Sequence, residues 1–173
     1  MKKYTLALVL LLCALGATVA NAENKDLPNF HKVNVNLYRG GRPTDAGVRQ
    51  LVKLKIQTDI NLENDSRAAS RERNLAKSLG LIFDSHPMDA YKYPDDSDVM
   101  DVLSTLKDDS AFPIFIHCHY GMDRTGLLVG LYRVKIDHWS PARAYQEMLD
   151  IGFHPDLDQL DRYFRDKTGY DGE

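Results

Sequence analysis

The sequence predicts an α/β domain built on a central, mostly parallel sheet of four or five strands flanked by helices. Three observations predict it. Short apolar runs of strand length alternate with longer segments whose apolar residues recur at helical spacing. The run at 113–117 is apolar nearly throughout, as a strand covered on both faces requires. Finally, 173 residues without an internal repeat, a low-complexity stretch or a Gly/Pro/Ser-rich linker suffice for one core and are too few for two domains side by side.

The first 22 residues stand apart. Met1-Lys2-Lys3 precedes an uncharged run from Thr5 to Val19 that ends in Ala20-Asn21-Ala22. A cationic start, an apolar stretch shorter than the ~20 residues of a membrane span, and small residues two apart form the pattern of a cleavable export signal. The expected organisation is a signal over 1–22 and one domain over 23–173, exported to the periplasm or secreted, with no stable membrane span after cleavage. An uncleaved anchor and a lipid-modified Cys13 are the alternatives, although Leu10-Leu11-Leu12 lacks the small residue expected before such a cysteine.

Cleavage after Ala22 removes Lys2, Lys3 and Cys13, so a chain of 173 residues and net charge −3 becomes one of 151 residues and net −5. Cys118 is then its only thiol and has no partner for an intramolecular disulfide. An acidic balance supplies no basic field for a nucleic-acid backbone, so no nucleic-acid partner is expected.

The elements follow in order. After an extended lead-in over 23–32, residues 35–39 form a first strand. Pro43-Thr44-Asp45 starts a helix carrying Val48, Leu51 and Val52 on one face. Residues 56–62 form a second strand, interrupted by Thr58 and Asp59. A charged helix over 66–79 is closed by Gly80, the residue best suited to a left-handed terminus. A third strand at 81–83 runs into the loop His86-Pro87-Met88-Asp89. Acidic residues from Asp95 to Asp98 occupy the first turn of a helix carrying Val99, Val102, Leu103 and Leu106, where carboxylates are favoured. Residues 113–117 are the fourth strand, and 127–136, apolar nearly all round, are a buried helix. Two last helices start at Ser140-Pro141 and at Asp156, the first ended by Gly152.

Between the most apolar strand and the buried helix runs His117-Cys118-His119-Tyr120-Gly121-Met122-Asp123-Arg124-Thr125-Gly126. A loop entering a helix N-terminus turns several backbone N–H groups into one concavity, which favours an anion. Cys118 lies at its base. Arg124 can fold its planar fork over the same concavity, where paired hydrogen bonds suit phosphate oxygens as a lysine's point charge does not. An ordinary cysteine is only a few per cent thiolate near neutrality, and the thiolate is the nucleophile. A helix terminus supplies at most ~2 kcal/mol toward ionising it. The loop amides, the Thr125 hydroxyl and Arg124 are expected to supply the rest.

His-Cys, five residues, then Arg-Thr-Gly resembles the phosphate-binding loop of the cysteine-dependent protein tyrosine phosphatases, and the short domain resembles their dual-specificity branch. Leu37-Tyr38-Arg39-Gly40-Gly41-Arg42-Pro43 and Thr58-Asp59-Ile60-Asn61-Leu62 are similar to the opening of bacterial members, so the likeness covers most of 23–173. It implies that Cys118 forms a phosphocysteine, that Arg124 clamps phosphate together with His119, Tyr120, Gly121, Met122 and Asp123, that Thr125 helps the sulfur leave, and that His117 orders the loop from beneath. The mechanism also needs a general acid. Asp89, on the loop after a strand, is the first candidate. Asp95 and Asp96 come next, although they and Asp98 read better as first-turn residues. Asp123, beside Arg124 as in myotubularin-like lipid phosphatases, is either an acid or an orienting partner of the arginine.

Other residues take plainer roles. His117, Cys118 and His119 lack the second ligand pair of a closed zinc site, so neither metal nor cofactor is expected; Arg124 and backbone dipoles take the part of a cation. His31, His86, His138 and His154 are expected at the surface or at caps and Trp139 in packing; Arg39 and Arg42 are within reach of substrate, although ion pairs within the fold are the expected role. The acidic run over 95–101 lacks the glycine and closing glutamate of a calcium loop. Rhodanese-like loops carry four residues between cysteine and basic position, against five here.

The expected function is therefore a phosphomonoester hydrolase acting on a phosphorylated protein or a small phosphomonoester. The alternatives are an inositol phosphate or phospholipid phosphatase of the same fold, or a non-catalytic phosphate-binding module. Absence of lysine from the loop favours a singly phosphorylated ester such as phosphotyrosine. Asp-Arg-Thr-Gly, shared with lipid-directed relatives, pulls the other way.

Overall fold

The structure is a computed structural model and describes residues 24–172. The expected export signal, with Cys13, lies outside the described residues. The strands are β1 (His31–Lys32), β2 (Leu37–Gly41), β3 (Thr58–Asn61), β4 (Ile82–Ser85) and β5 (Ile114–Cys118). They form one sheet in the order β1-β2-β5-β3-β4, with β1 antiparallel to β2 and every other pair parallel. The helices are α1 (Asp45–Lys53), α2 (Ser66–Ser78), α3 (Asp96–Thr105), α4 (Asp123–Lys135), α5 (Pro141–Asp150) and α6 (Asp158–Thr168), with a 3₁₀ turn at Asp109–Ala111.

Several boundaries differ from expectation: β3 is shorter than 56–62, β4 runs on to Ser85, and α6 starts at Asp158, two residues late. β1 falls inside the extended lead-in, and β2 starts two residues late. Asn34 causes the delay: its Oδ1 accepts the amides of Asn36 and Leu37 at 2.9 and 2.8 Å, a side-chain turn that leaves Val35 73% exposed. α4 starts at Asp123, inside the polar stretch, four residues before its apolar run. Its Leu127, Leu128, Val129 and Leu131 are all fully buried, each contributing about 1.5–3 kcal/mol of hydrophobic stabilisation.

Strand alternation then decides what surrounds the cysteine. Side chains of β5 point alternately to opposite faces of the sheet. Ile114, Ile116 and Cys118 join the larger core with α3, α4, α5 and α6, whereas Phe115 packs with Val48 and Leu51 of α1 and Ala76 of α2. Cys118 therefore faces α4 while its neighbour His117 faces α2. On β2, Arg39 pairs with Ile116 and Gly41 with Cys118, which puts Arg39 on the cysteine's side of the sheet.

Candidate active site

Residues 119–122 bridge β5 to α4 at the carboxyl ends of the parallel strands, where open α/β sheets bind ligands. Their carbonyls are claimed from outside. His119 O accepts the Arg42 amide at 3.1 Å, Asn29 Nδ2 donates to Tyr120 O and Gly121 O at 3.5 and 3.2 Å, and Met122 O accepts the Gly126 amide at 2.8 Å. The amides of 119–122 donate to no acceptor among the described residues, which leaves them available to an anion. Gly121, at φ +75°, makes this possible: a Cβ there would lie 2.3 Å from the Gly40 carbonyl carbon, so only glycine lets the loop rest on β2.

The start of α4 is open in the same sense. Thr44, Asp65, Asp95 and Ser140 cap α1, α2, α3 and α5 with their side chains, but Met122 offers α4 no such cap. Free amides at the positive end of the helix favour an anion. Cys118, a free thiol 2% exposed, forms the floor.

Among the described residues Arg124 is held through Nη1, which donates to Met88 O at 3.1 Å, Asn64 Oδ1 at 3.3 Å and Leu62 O at 3.4 Å. The Met88 contact brings the 86–95 loop, which carries Asp89, beside Arg124. Asp89 Oδ1 accepts the Tyr91 amide at 3.0 Å, and Lys92 Nζ stands 3.6 Å from Oδ2. The competing aspartates are placed elsewhere. Asp95 caps α3, and Asp96 binds Tyr163 and Lys167 of α6 at 2.9 and 2.7 Å. Thr125 is fully buried beside Arg124, and its hydroxyl meets no partner among the described residues.

Several expectations need correction. Asp123 does not orient Arg124: its Oδ1 accepts both the backbone amide and Nδ1 of His154, each at 2.9 Å, tying the loop to the α5–α6 connection. His154 is exposed, as expected, and also anchors the loop through Asp123. Arg39 makes no ion pair among the described residues. It is 1% exposed and Nη2 donates to Gly121 O at 2.9 Å and Met122 O at 3.4 Å. Arg42 does form its expected ion pairs, to Glu63 at 2.6 Å and Asp65 at 3.5 Å. Trp139 lies between the guanidinium groups of Arg133 and Arg143, 4.1 and 3.5 Å from its ring centroid.

On the opposite face, His117 is fully buried between two carboxylates. Its Nε2 is 2.8 Å from Glu72 Oε1, at an angle short of a straight hydrogen bond, and 3.5 Å from Asp59 Oδ1. Burial opposes a charge on the ring, but the Glu72 and Asp59 carboxylates overcome it and raise His117 to about 9. Burial pushes Asp59 well above the ordinary carboxylate range, and Glu72 beside it adds to the rise. One donor atom from each of the three lies within 4.8 Å of the others, the spacing of a metal site. His117, raised to about 9, supplies a positive charge between these carboxylates.

Sequence reasoning overlooked Asn29, Glu63, Glu72 and His154. Glu63 is buried and bridges Arg42 to His119 Nδ1, the latter at 3.1 Å. Only Asp59 carried a signal, a charged residue inside an apolar strand.

A thiol that ends the central parallel strand, followed by an uncapped helix whose first turn carries Arg124, is the arrangement of the cysteine-dependent phosphatase class. The chain belongs to the Tyrosine phosphatase family, which it matches over residues 26–164. Dual specificity protein phosphatase TpbA of Pseudomonas aeruginosa is 29% identical over 134 residues, covering 77% of this chain and 59% of that protein. Inositol diphosphatase DSP4 of Arabidopsis thaliana is 30% identical over 123 residues, covering 69% and 61%. The chain thus spans about six-tenths of the length of these relatives. The crystal structure of TpbA superposes with a TM-score of 0.68 at 28% identity, covering 83% of this chain and 86% of that one.

Proposed function

We propose that the protein hydrolyses phosphomonoesters through a phosphocysteine at Cys118. The carrying observation is the set of unengaged loop amides that follows a buried free thiol. A phosphoryl group seated there presents its oxygens to the amides and Arg124, and its phosphorus to Sγ. The thiolate attacks phosphorus, the ester P–O bond breaks, and Asp89 gives its proton to the departing oxygen. Water then attacks the phosphocysteine, Asp89 takes a proton from it, and the S–P bond breaks to return the thiolate and orthophosphate. Thr125, with its unpartnered hydroxyl, supports the leaving sulfur.

The substrate class we assign is a singly phosphorylated ester, with phosphotyrosyl peptides favoured. Arg42 is already neutralised by Glu63 and Asp65, His119 already meets Glu63, and the loop has no lysine. A cleft lined by Arg42, Glu63, Asn64, Asp65, His119 and Arg124 therefore adds carboxylates beside the loop, which repel further phosphates. A variant of TpbA has been crystallised with phosphotyrosine. The name of DSP4 supports the second reading, an inositol diphosphate substrate.

Turnover of phosphotyrosyl and phosphoseryl peptides, inositol phosphates and phospholipids separates these. Phosphotyrosyl peptide is expected to lead, and a lead for inositol phosphates reverses the assignment. On an aryl phosphate, Cys118→Ser is expected to abolish turnover while phosphate still binds; a wild type inactive at every mildly acidic to neutral pH leaves only a phosphate-binding module. Asp89→Ala is expected to lower kcat by about 10²–10⁴-fold, and near-normal turnover would take the acid role from Asp89. Export is proposed as well: the mass of the protein from the cell envelope should correspond to a chain starting at Glu23.

A further inference from the structure

Arg39 is the largest fully buried side chain described, and its environment is unusual for a charge. Two of its nitrogens, Nε and Nη1, meet no acceptor among the described residues, and no carboxylate lies within ion-pair distance. Buried cations are ordinarily paired, because desolvation of an unpaired one is costly. Its one bonded nitrogen is given entirely to the phosphate loop, to the carbonyls of Gly121 and Met122. The guanidinium lies beneath the first turn of α4, where a Cβ at Gly126 would stand in ordinary contact with Nη2 at 3.6 Å.

We propose that Arg39 is a positioning residue of the phosphate loop, which from the strand beneath holds the Gly121 and Met122 carbonyls outward and sets an unpaired buried cation behind the anions formed at Cys118 and on bound phosphate. This rests on the phosphocysteine reading of Cys118. Two consequences follow from the geometry. Turning those carbonyls down keeps the neighbouring amides turned toward the phosphate. A cation that the fold leaves without a carboxylate finds its counter-charge when an anion occupies the loop, so anion binding and loop order reinforce one another.

The charged groups around it fit this role. Arg133 of α4 is engaged by Glu147 of α5 at 2.7 Å and Asp137 at 2.7 Å, so Glu147 is shared with another cation and reaches Arg39 only through space. Cys118 of β5 acts on Arg39 in the same favourable sense, and His31 of β1 is the remaining titratable neighbour. Burial lowers Arg39 to about 10, which leaves it charged at neutral pH.

Arg39→Gln and Arg39→Lys test this. The first removes the charge and keeps a donor for a loop carbonyl; the second keeps the charge on a shorter arm. Three quantities are read: the pH profile of Cys118 alkylation by iodoacetamide, the inhibition constant of inorganic phosphate against that alkylation, and kcat on an aryl phosphate. For Arg39→Gln the alkylation midpoint is expected to rise by about one pH unit and phosphate inhibition to weaken about tenfold. Arg39→Lys is expected to keep the wild-type midpoint while kcat falls, through loss of the paired carbonyl contact. A folded Arg39→Gln with the wild-type profile and phosphate constant overturns the proposal, as do equal midpoint shifts in both variants. Should Arg39→Gln fail to fold, Arg39→Lys decides alone, because a raised midpoint there is incompatible with a role for the charge. Alkylation and phosphate binding need no turnover, so an inactive enzyme would sink the catalytic reading without touching these measurements.

Discussion

Two buried cations lie beneath one loop, on opposite faces of adjacent strands, and the fold treats them in opposite ways. His117, facing α2, stands between Glu72 and Asp59, and its charge is balanced inside the protein. Arg39, facing α4, spends its one bonded nitrogen on loop carbonyls and has no carboxylate within ion-pair distance among the described residues. The difference tracks the position of the anion. His117 lies on the far side of the sheet from the phosphate concavity, where an unbalanced charge would only cost desolvation energy. Arg39 shares the side of Cys118, where an anion arrives during function.

Removal of a carboxylate from the balanced side should have the largest effect on stability. Glu72→Gln removes the carboxylate nearest to the buried His117, and breaking a buried pair costs about 3–5 kcal/mol. Denaturant unfolding measures it; a loss below about 1 kcal/mol would mean that His117 is neutral in the fold and that the contrast with Arg39 is not one of charge.

Alkaline pH probes the same contact without mutation. His117 is raised from 6.5 to about 9, so the stability it contributes is fully present below pH 6.5 and is lost as pH rises through 9. Between pH 7 and 9.5 the expected loss is about 2 kcal/mol. Asp59, pushed up by burial, favours the acidic side in the same sense. In a folded Glu72→Gln protein this dependence should flatten, and an unchanged slope would assign it to other groups.

The smallest effect belongs to a carboxylate outside both environments. Asp96, exposed at the start of α3, binds Lys167 and Tyr163. Asp96→Ala should move Tm by no more than about 2 °C, because exposed pairs contribute little. Turnover should stay at the wild-type level; a large fall would return Asp96 to the list of general acids and displace Asp89.

How far each feature could be read from the sequence depended on how local its cause is. The central strand β5 was legible because a strand covered on both faces is an apolar run. β1 was not: its two residues are exposed, and only pairing with β2 makes them a strand. The onset of α4 was displaced because polar residues 123–126 belong to the loop's chemistry and to the helix at once. Cys118 and Arg124 were legible because five intervening residues and the flanking strand and helix hold them in register. Arg39 was misread as an ion-pair partner, since the nearest signal, its place in a strand, says nothing of what covers that strand.

By itself the sequence determined that strands and helices alternate, that one thiol ends the most apolar strand, and that an arginine returns to it within the next helical turn. These follow from periodicity and spacing, which depend on residues near in the chain. Only the tertiary structure decided which groups surround that loop from a distance: Asn29 and Arg39 on its carbonyls, Glu63 between Arg42 and His119, Glu72 under His117, and His154 on Asp123. Each is a polar side chain whose partner lies on another element, and its role is set by desolvation and by the alternation of faces across the sheet.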